Sequence, residues 1–148
     1  MSLGLTPEFI LNTTLKVGVI YKFNASDIIN TSVPHHFIVI AIENENNYLA
    51  VCTTQLDAKI EYFKKRGLDL NTLAYITPNS SNGLDKDTYV NCNDYHIITR
   101  EKLIEKITTR EFQSTGDLSS EEYDKIVAAI RLSHTNDIPR FLLKYRTN

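Results

Sequence analysis

Cysteine, glycine, proline and long apolar runs are all scarce in this sequence, and each scarcity removes a class of protein. Two cysteines, Cys52 and Cys92, are too few for a disulfide framework, so reduced thiols are the default. Only 5 Gly and 4 Pro, with 42% hydrophobic and 23% charged residues, exclude a fibrous or disordered chain. The longest apolar run falls far short of the roughly 20 residues that span a bilayer. No basic region followed by an apolar stretch opens the sequence, so no membrane role and a cytoplasmic location are expected. Excess positive charge is missing too. A net charge of -2 argues against indiscriminate coating of nucleic acid, which needs a surplus of Lys and Arg, and leaves room only for a local groove. What remains is a globular chain of 148 residues, enough for one domain with a sizeable core.

The organising stretch runs from Pro34 to Gln55. Two β-rich apolar runs, Phe37 to Ile42 and Tyr48 to Cys52, flank the polar Glu43 to Asn47, which is the pattern of a β-hairpin. Both runs are almost continuously apolar, so the hairpin is expected at the centre of a sheet with both faces covered. Pro34, His35 and His36 precede the first strand, and Thr53, Thr54 and Gln55 follow the second. In an antiparallel pair these polar groups meet at the same end. The expectation is that the imidazole of His36 and the hydroxyl of Thr53 converge there on one concavity.

Around this hairpin, Thr6-Pro7 reads as an N-cap with proline at the first helical position, and one short helical turn should end near Asn12. Residues 1–15 are set apart as an N-terminal extension, and residues 16–148 as the single domain. Val17, Val19, Tyr21 and Phe23 alternate in a strand with one buried face. Asn24 to Val33 is a polar connection leading into the histidines, placed to act as a flap. Leu56, Ile60 and Phe63 mark an amphipathic helix capped by Gly67, whose basic last turn complements the helix dipole. Leu73 to Ile76, Asp87 to Asn91 and Tyr95 to Thr99 supply three short strands, the last two around the Cys92-Asn93-Asp94 turn. Thr99 caps a helix through Leu103 and Ile107. Gly116 and Asp117 are a turn before a capping box, Ser119 with Glu122, that starts a helix with the stripe Tyr123, Ile126, Val127 and Ile130. Ile138 to Tyr145 fits a terminal strand or helix equally.

These elements predict a mainly β chain with helices, an α+β fold: a small, strongly bent antiparallel sheet or open barrel with a C-terminal amphipathic helix. Val17-Gly18-Val19-Ile20-Tyr21, His35-His36-Phe37-Ile38-Val39-Ile40 and Val51-Cys52-Thr53-Thr54-Gln55 resemble, in order and spacing, the first three core strands of the PemK/MazF-like toxins. Gly83 to Val90, the strand to Ile98, the helix at Leu103 and the helix after Gly116-Asp117-Leu118-Ser119 are similar to that family's second half. The resemblance covers roughly residues 16–134.

The resemblance implies an SH3-like, CcdB-like barrel and a ribosome-independent endoribonuclease that cleaves single-stranded RNA. It also implies a homodimer and a cognate antitoxin protein as partner, with no cofactor and no metal. Cleavage without a metal needs a base for the 2′-OH, a proton for the leaving 5′-oxygen, and groups around the phosphate. In the family an arginine just before the second strand and a threonine at the end of the third act at the scissile phosphate. Thr53 takes the threonine's position, with Thr54 and Gln55 beside it. His36 takes the arginine's, or His35 if the register slips by one. Histidine is a competent acid or base near neutrality but is no permanent bidentate clamp. His36 and Thr53 are therefore the catalytic candidates, and His35, Thr54 and Gln55 the substrate-binding ones. The alternative is a catalytically inactive barrel that kept the fold and binds a protein or nucleic-acid partner.

Blander roles stand beside each candidate. A histidine at a strand start can simply satisfy a local hydrogen bond, and Thr53 and Thr54 can be β-formers or turn caps. Cys52, Cys92 and His96 lack a fourth metal ligand at suitable spacing and show no Cys-His hydrolase signature. Asp85 and Asp87 read as a solvated turn, and His134 as a complement to the negative end of the preceding helix.

Overall fold

The computed structural model describes residues 5–147. Its scaffold is one antiparallel sheet of seven strands: β1 (Val19–Phe23), β2 (His35–Glu43), β3 (Asn46–Thr53), β4 (Leu73–Ile76), β5 (Thr88–Asn91), β6 (His96–Thr99) and β7 (Gln113–Asp117). Five helices surround it: α1 (Pro7–Thr14), α2 (Ser26–Ile29), α3 (Leu56–Arg66), α4 (Arg100–Ile107) and α5 (Ser120–Leu132). The strands run in the order β4-β5-β3-β2-β1-β7, and β6 lies beside the first half of β3. The expected mixed, antiparallel architecture with a C-terminal amphipathic helix is thus present.

The central hairpin forms as its two apolar runs require. Its turn is the two-residue Asn44-Glu45, with Asn44 in the left-handed region at φ 56°. Both faces are covered. Ile38 and Ile40 join Ile20, Ala50, Cys52 and Val90 in a core closed by Tyr123, Ile126, Val127 and Ile130 of α5. Phe37 and Val39 point the other way, with Val19, Tyr21, Phe23 and Leu49, onto Leu11 of α1 and Leu103 and Ile107 of α4. Alternation along each strand therefore feeds two cores.

Ile40 breaks that alternation. Val39 pairs with Leu49 but Ala41 with Tyr48, so β2 carries one extra residue at a β-bulge. Its carbonyl accepts the Tyr123 hydroxyl at 2.5 Å, a bond from α5 into the middle of the sheet.

The sheet is bent far enough to bring its two ends together. The Asp117 amide of β7, at one end of the strand path, donates to the Ser81 carbonyl in the 77–87 loop that follows β4 at the other. Gly83 and Gly116 make this approach possible: a Cβ at Gly83 would lie 2.1 Å from the Thr115 carbonyl oxygen, and one at Gly116 2.5 Å from that of Ser81.

Several expectations need correction. Residues 113–117 form strand β7, so Gly116 and Asp117 are not a turn. β1 begins at Val19 and is buried on both faces, not one. β5 and β6 do not pair with each other but lie end to end along the same edge of β3. The tail is neither strand nor α-helix: it makes a 3₁₀ turn at Arg140–Leu142 and buries Ile138 and Leu143. The N-terminal extension carries α1, which runs to Thr14 and seats Leu11 in the second core; of the loose start expected over Met1 to Leu5, all but Leu5 lies outside the described residues. The connection from Asn24 to Val33 is tied to α4, since Asp27 pairs with Lys106 at 2.7 Å and Lys102 at 2.9 Å. Those two ammonium groups hold its carboxyl well below the usual range.

Candidate functional site

At the open end of the hairpin the polar strand termini enclose a cleft of about 400 Å³. It is lined by all five residues singled out in the sequence, His35, His36, Thr53, Thr54 and Gln55, together with Lys22 from β1 and Asp85 and Lys86 from the 77–87 loop. No arginine lines it among the described residues.

The bulge at Ile40 decides which of these groups share a face. In an unbroken hairpin counted from the Asn44-Glu45 turn, His36 would stand opposite Thr53. The extra residue shifts the register by one: Phe37 pairs with Val51, so His36 falls opposite Cys52 and His35 opposite Thr53. His36 consequently follows Ile38 to the α5 side, and Thr53 follows Val51 to the other. The expected convergence of imidazole and hydroxyl on one face is corrected to this extent. Both residues line the cleft, from opposite faces of the strand ends.

Thr53 is also locally engaged, because its Oγ1 accepts the Gln55 amide at 3.1 Å in the turn that launches α3. His35 Nδ1 lies 3.0 Å from the Val33 carbonyl oxygen, a donor geometry that leaves Nε2 free.

The partner that His36 does have is Lys22. They are register partners on β1 and β2, and alternation puts Lys22 on the same face, beyond Ile20. Desolvation of the half-buried ring lowers the His36 pKa first, the positive charge of Lys22 lowers it further, and Asp85 works in the opposite sense. His36 is therefore a neutral imidazole at pH 7, able to accept a proton.

Asp85 and Lys86 are held in place by a buried amide. Asn82, fully buried, accepts the Leu84 amide at 3.0 Å and donates at 3.0 Å both to the Thr77 carbonyl and to Glu122. Glu122 takes that bond on Oε2 and the Ser119 amide on Oε1, so the capping residue of α5 also anchors the loop. The bonds of Asn82 anchor the loop at Asn82 and Leu84, just before Asp85 and Lys86, which line the cleft.

Three charged lining residues were missed by sequence reasoning: Lys22, Asp85 and Lys86. Lys22 carries a signal in retrospect, being the sole charged position between the buried Tyr21 and Phe23.

The cysteines offer little chemistry. Burial pushes both thiols up, Cys92 to about 12, so neither is a thiolate near neutrality. Among the described residues no group of three or more His, Cys, Asp or Glu is placed to hold a metal ion. No helix among them is long and apolar enough to cross a membrane.

Comparison with solved structures finds similarity to the Mycobacterium tuberculosis toxin MazF-mt6, at 17% identity over 76% of this chain and 91% of that one, with a TM-score of 0.47. No family model matches the sequence, and no curated protein does. A likeness at this level says nothing about chemistry, which has to be derived from the cleft.

Proposed function

We propose that this protein is a toxin-type endoribonuclease that cleaves single-stranded RNA by attack of a 2′-OH on the adjacent phosphate, without a metal in the step. One observation carries the reading: a half-buried imidazole, His36, its pKa lowered by burial, opens onto a cleft beside two lysines and a row of strand-end hydrogen-bonding groups.

In this scheme His36 accepts the 2′-OH proton, the oxygen attacks phosphorus to give a 2′,3′-cyclic phosphate, the P–O5′ bond breaks as the 5′-oxygen takes a proton from water, and His36 then releases its proton to solvent. Thr53, whose hydroxyl lies on the other face of the strand ends, binds the flanking nucleotide together with Thr54, Gln55 and His35. An unpaired strand suits a cleft at the end of a sheet, because its bases can turn away from the backbone and be held separately. A homodimer, a cytoplasmic location and an antitoxin partner whose segment fills the same cleft complete the proposal by resemblance to the toxin family.

The test is incubation of purified protein with a long unstructured RNA in excess chelator, with products mapped at nucleotide resolution. Fragments ending in cyclic phosphate, lost in His36→Gln, support the reading; intact RNA from wild-type protein at every pH between 5 and 9 overturns it. Asp85 in the cleft and the lack of a lining arginine favour a second reading, a binding module without catalysis. That reading predicts RNA retained on the protein and uncut.

A further inference from the structure

We propose that Lys22 is the residue that holds the anionic phosphate in this cleft, with Lys86 adding a second positive charge from the 77–87 loop. The proposal rests on the cleft being a nucleic-acid site, and it assigns phosphate recognition to a residue on β1 where the resemblance pointed to the start of β2.

Three observations lead there. Lys22 is the register partner of His36, so a phosphate that brings its neighbouring 2′-OH to the imidazole also meets the ammonium group alongside. Both residues line the cleft, on the face that continues from Ile20 and Ile38. Lys22 makes no ion pair among the described residues, unlike Lys16, Lys102 and Lys106, which are matched to Asp117 and Asp27.

A division of labour follows. A group that clamps phosphate must stay charged, whereas a group that takes a proton must start neutral. Lysine with its high ordinary pKa meets the first need, and the burial of His36 beside that same cation meets the second. The lysine is a point charge, so it fixes the position of the phosphate less rigidly than a guanidinium fork. Asp85, facing the same cleft, repels any anion that does not sit close to Lys22.

Binding and cleavage can be measured apart. Fluorescence anisotropy with a labelled single-stranded oligonucleotide, 2′-O-methylated at every position so that it cannot be cut, gives affinity over a series of salt concentrations. Lys22→Met should weaken binding about ten-fold and lower the slope of log K against log salt by about 0.7, the loss of one contact to single-stranded phosphate. Lys22→Arg should restore both, and Lys65→Met, an exposed lysine of α3 outside the cleft, should leave both at wild-type values. Thermal melting of each variant separates these effects from misfolding, and Lys22→Gln provides a second neutral variant should Met aggregate.

Unchanged affinity and salt slope in folded Lys22→Met or Lys22→Gln overturns the proposal, as does failure of wild-type protein to bind the oligonucleotide at low salt. If wild-type protein cuts no RNA yet Lys22 variants lose binding, Lys22 is still the phosphate ligand and the nuclease reading alone fails.

Discussion

Tyr123 on α5 donates its hydroxyl to the carbonyl of Ile40, the extra residue of the β2 bulge, at 2.5 Å. Through that bond the C-terminal helix meets the one irregularity that sets the register of the site. Burial raises the phenol to about 12, so the hydroxyl remains a donor well beyond neutral pH.

Tyr123→Phe keeps the ring and deletes the donor, leaving a buried carbonyl without this partner. The expected cost is about 1–3 kcal/mol. Urea unfolding checks it: the midpoint falls while the slope with denaturant stays at the wild-type value. A midpoint unchanged within error shows that water or another donor replaces the hydroxyl at no cost.

Asn82 makes a sharper case, because its buried side chain serves four partners in an otherwise largely exposed loop. Asn82→Ala strands the Leu84 amide and the Thr77 carbonyl, and Asn82→Asp brings a second carboxylate against Glu122. Each should lower stability by about 2–4 kcal/mol, near the upper end for single substitutions. The cleft should suffer with the loop, so oligonucleotide affinity should fall in both variants under conditions where they remain folded. Wild-type affinity in either would show that Asp85 and Lys86 are positioned by other contacts.

The same local chemistry explains what could be read without coordinates. The capping box of Ser119 and Glu122, the Thr99 cap and the apolar hairpin are all encoded within a few residues of each other, and all three formed. β7 was illegible because Gln-Ser-Thr-Gly-Asp has no apolar period: it is held as an edge strand by backbone bonds to β1. The facing of His36 and Thr53 was illegible for a different reason. A continuous run, Phe37-Ile38-Val39-Ile40-Ala41-Ile42, looks the same with or without a bulge, and one extra residue reverses which side every later group takes. Lys22 went unremarked in the sequence, because only the β2 start and the 77–87 loop, distant in sequence, turn its side of the strand into a cleft wall.

Two glycines separate backbone strain from lack of space. Gly67 ends α3 at φ 65° with nothing within 4 Å of a would-be Cβ, so Gly67→Ala should cost only the left-handed penalty, about 1 kcal/mol. Gly116 has ordinary φ, but a Cβ there would lie 2.5–2.6 Å from the backbone of Ser81 and Asn82. Gly116→Ala must push the 77–87 loop away from β7, and a loss well above that of Gly67→Ala is expected. Paired thermal melts decide it, and equal losses in the two variants would refute the tight approach of loop and strand.

The protonation of His36 ties stability to activity. Its folded pKa lies below the ordinary 6.5 because burial and the neighbouring Lys22 disfavour the imidazolium. The unfolded chain therefore takes up this proton at a higher pH than the folded one, and protonation favours unfolding. The sign follows: above 6.5 His36 costs nothing, and as pH falls from there through the lower folded value the protein loses stability. His36→Asn removes this contribution, so urea midpoints of wild type and variant should diverge below about pH 6.5, the wild type falling faster. For cleavage the same neutral ring is the active form, and log kcat/KM should rise with pH through a midpoint below the usual histidine value and then level off. Lys22→Met takes away one of the charges that depress the pKa, so the acid limb should move upward in that variant while Lys22→Arg leaves it in place. An acid limb at or above 6.5 in wild type, or one that ignores the charge at position 22, would remove His36 from the role of base.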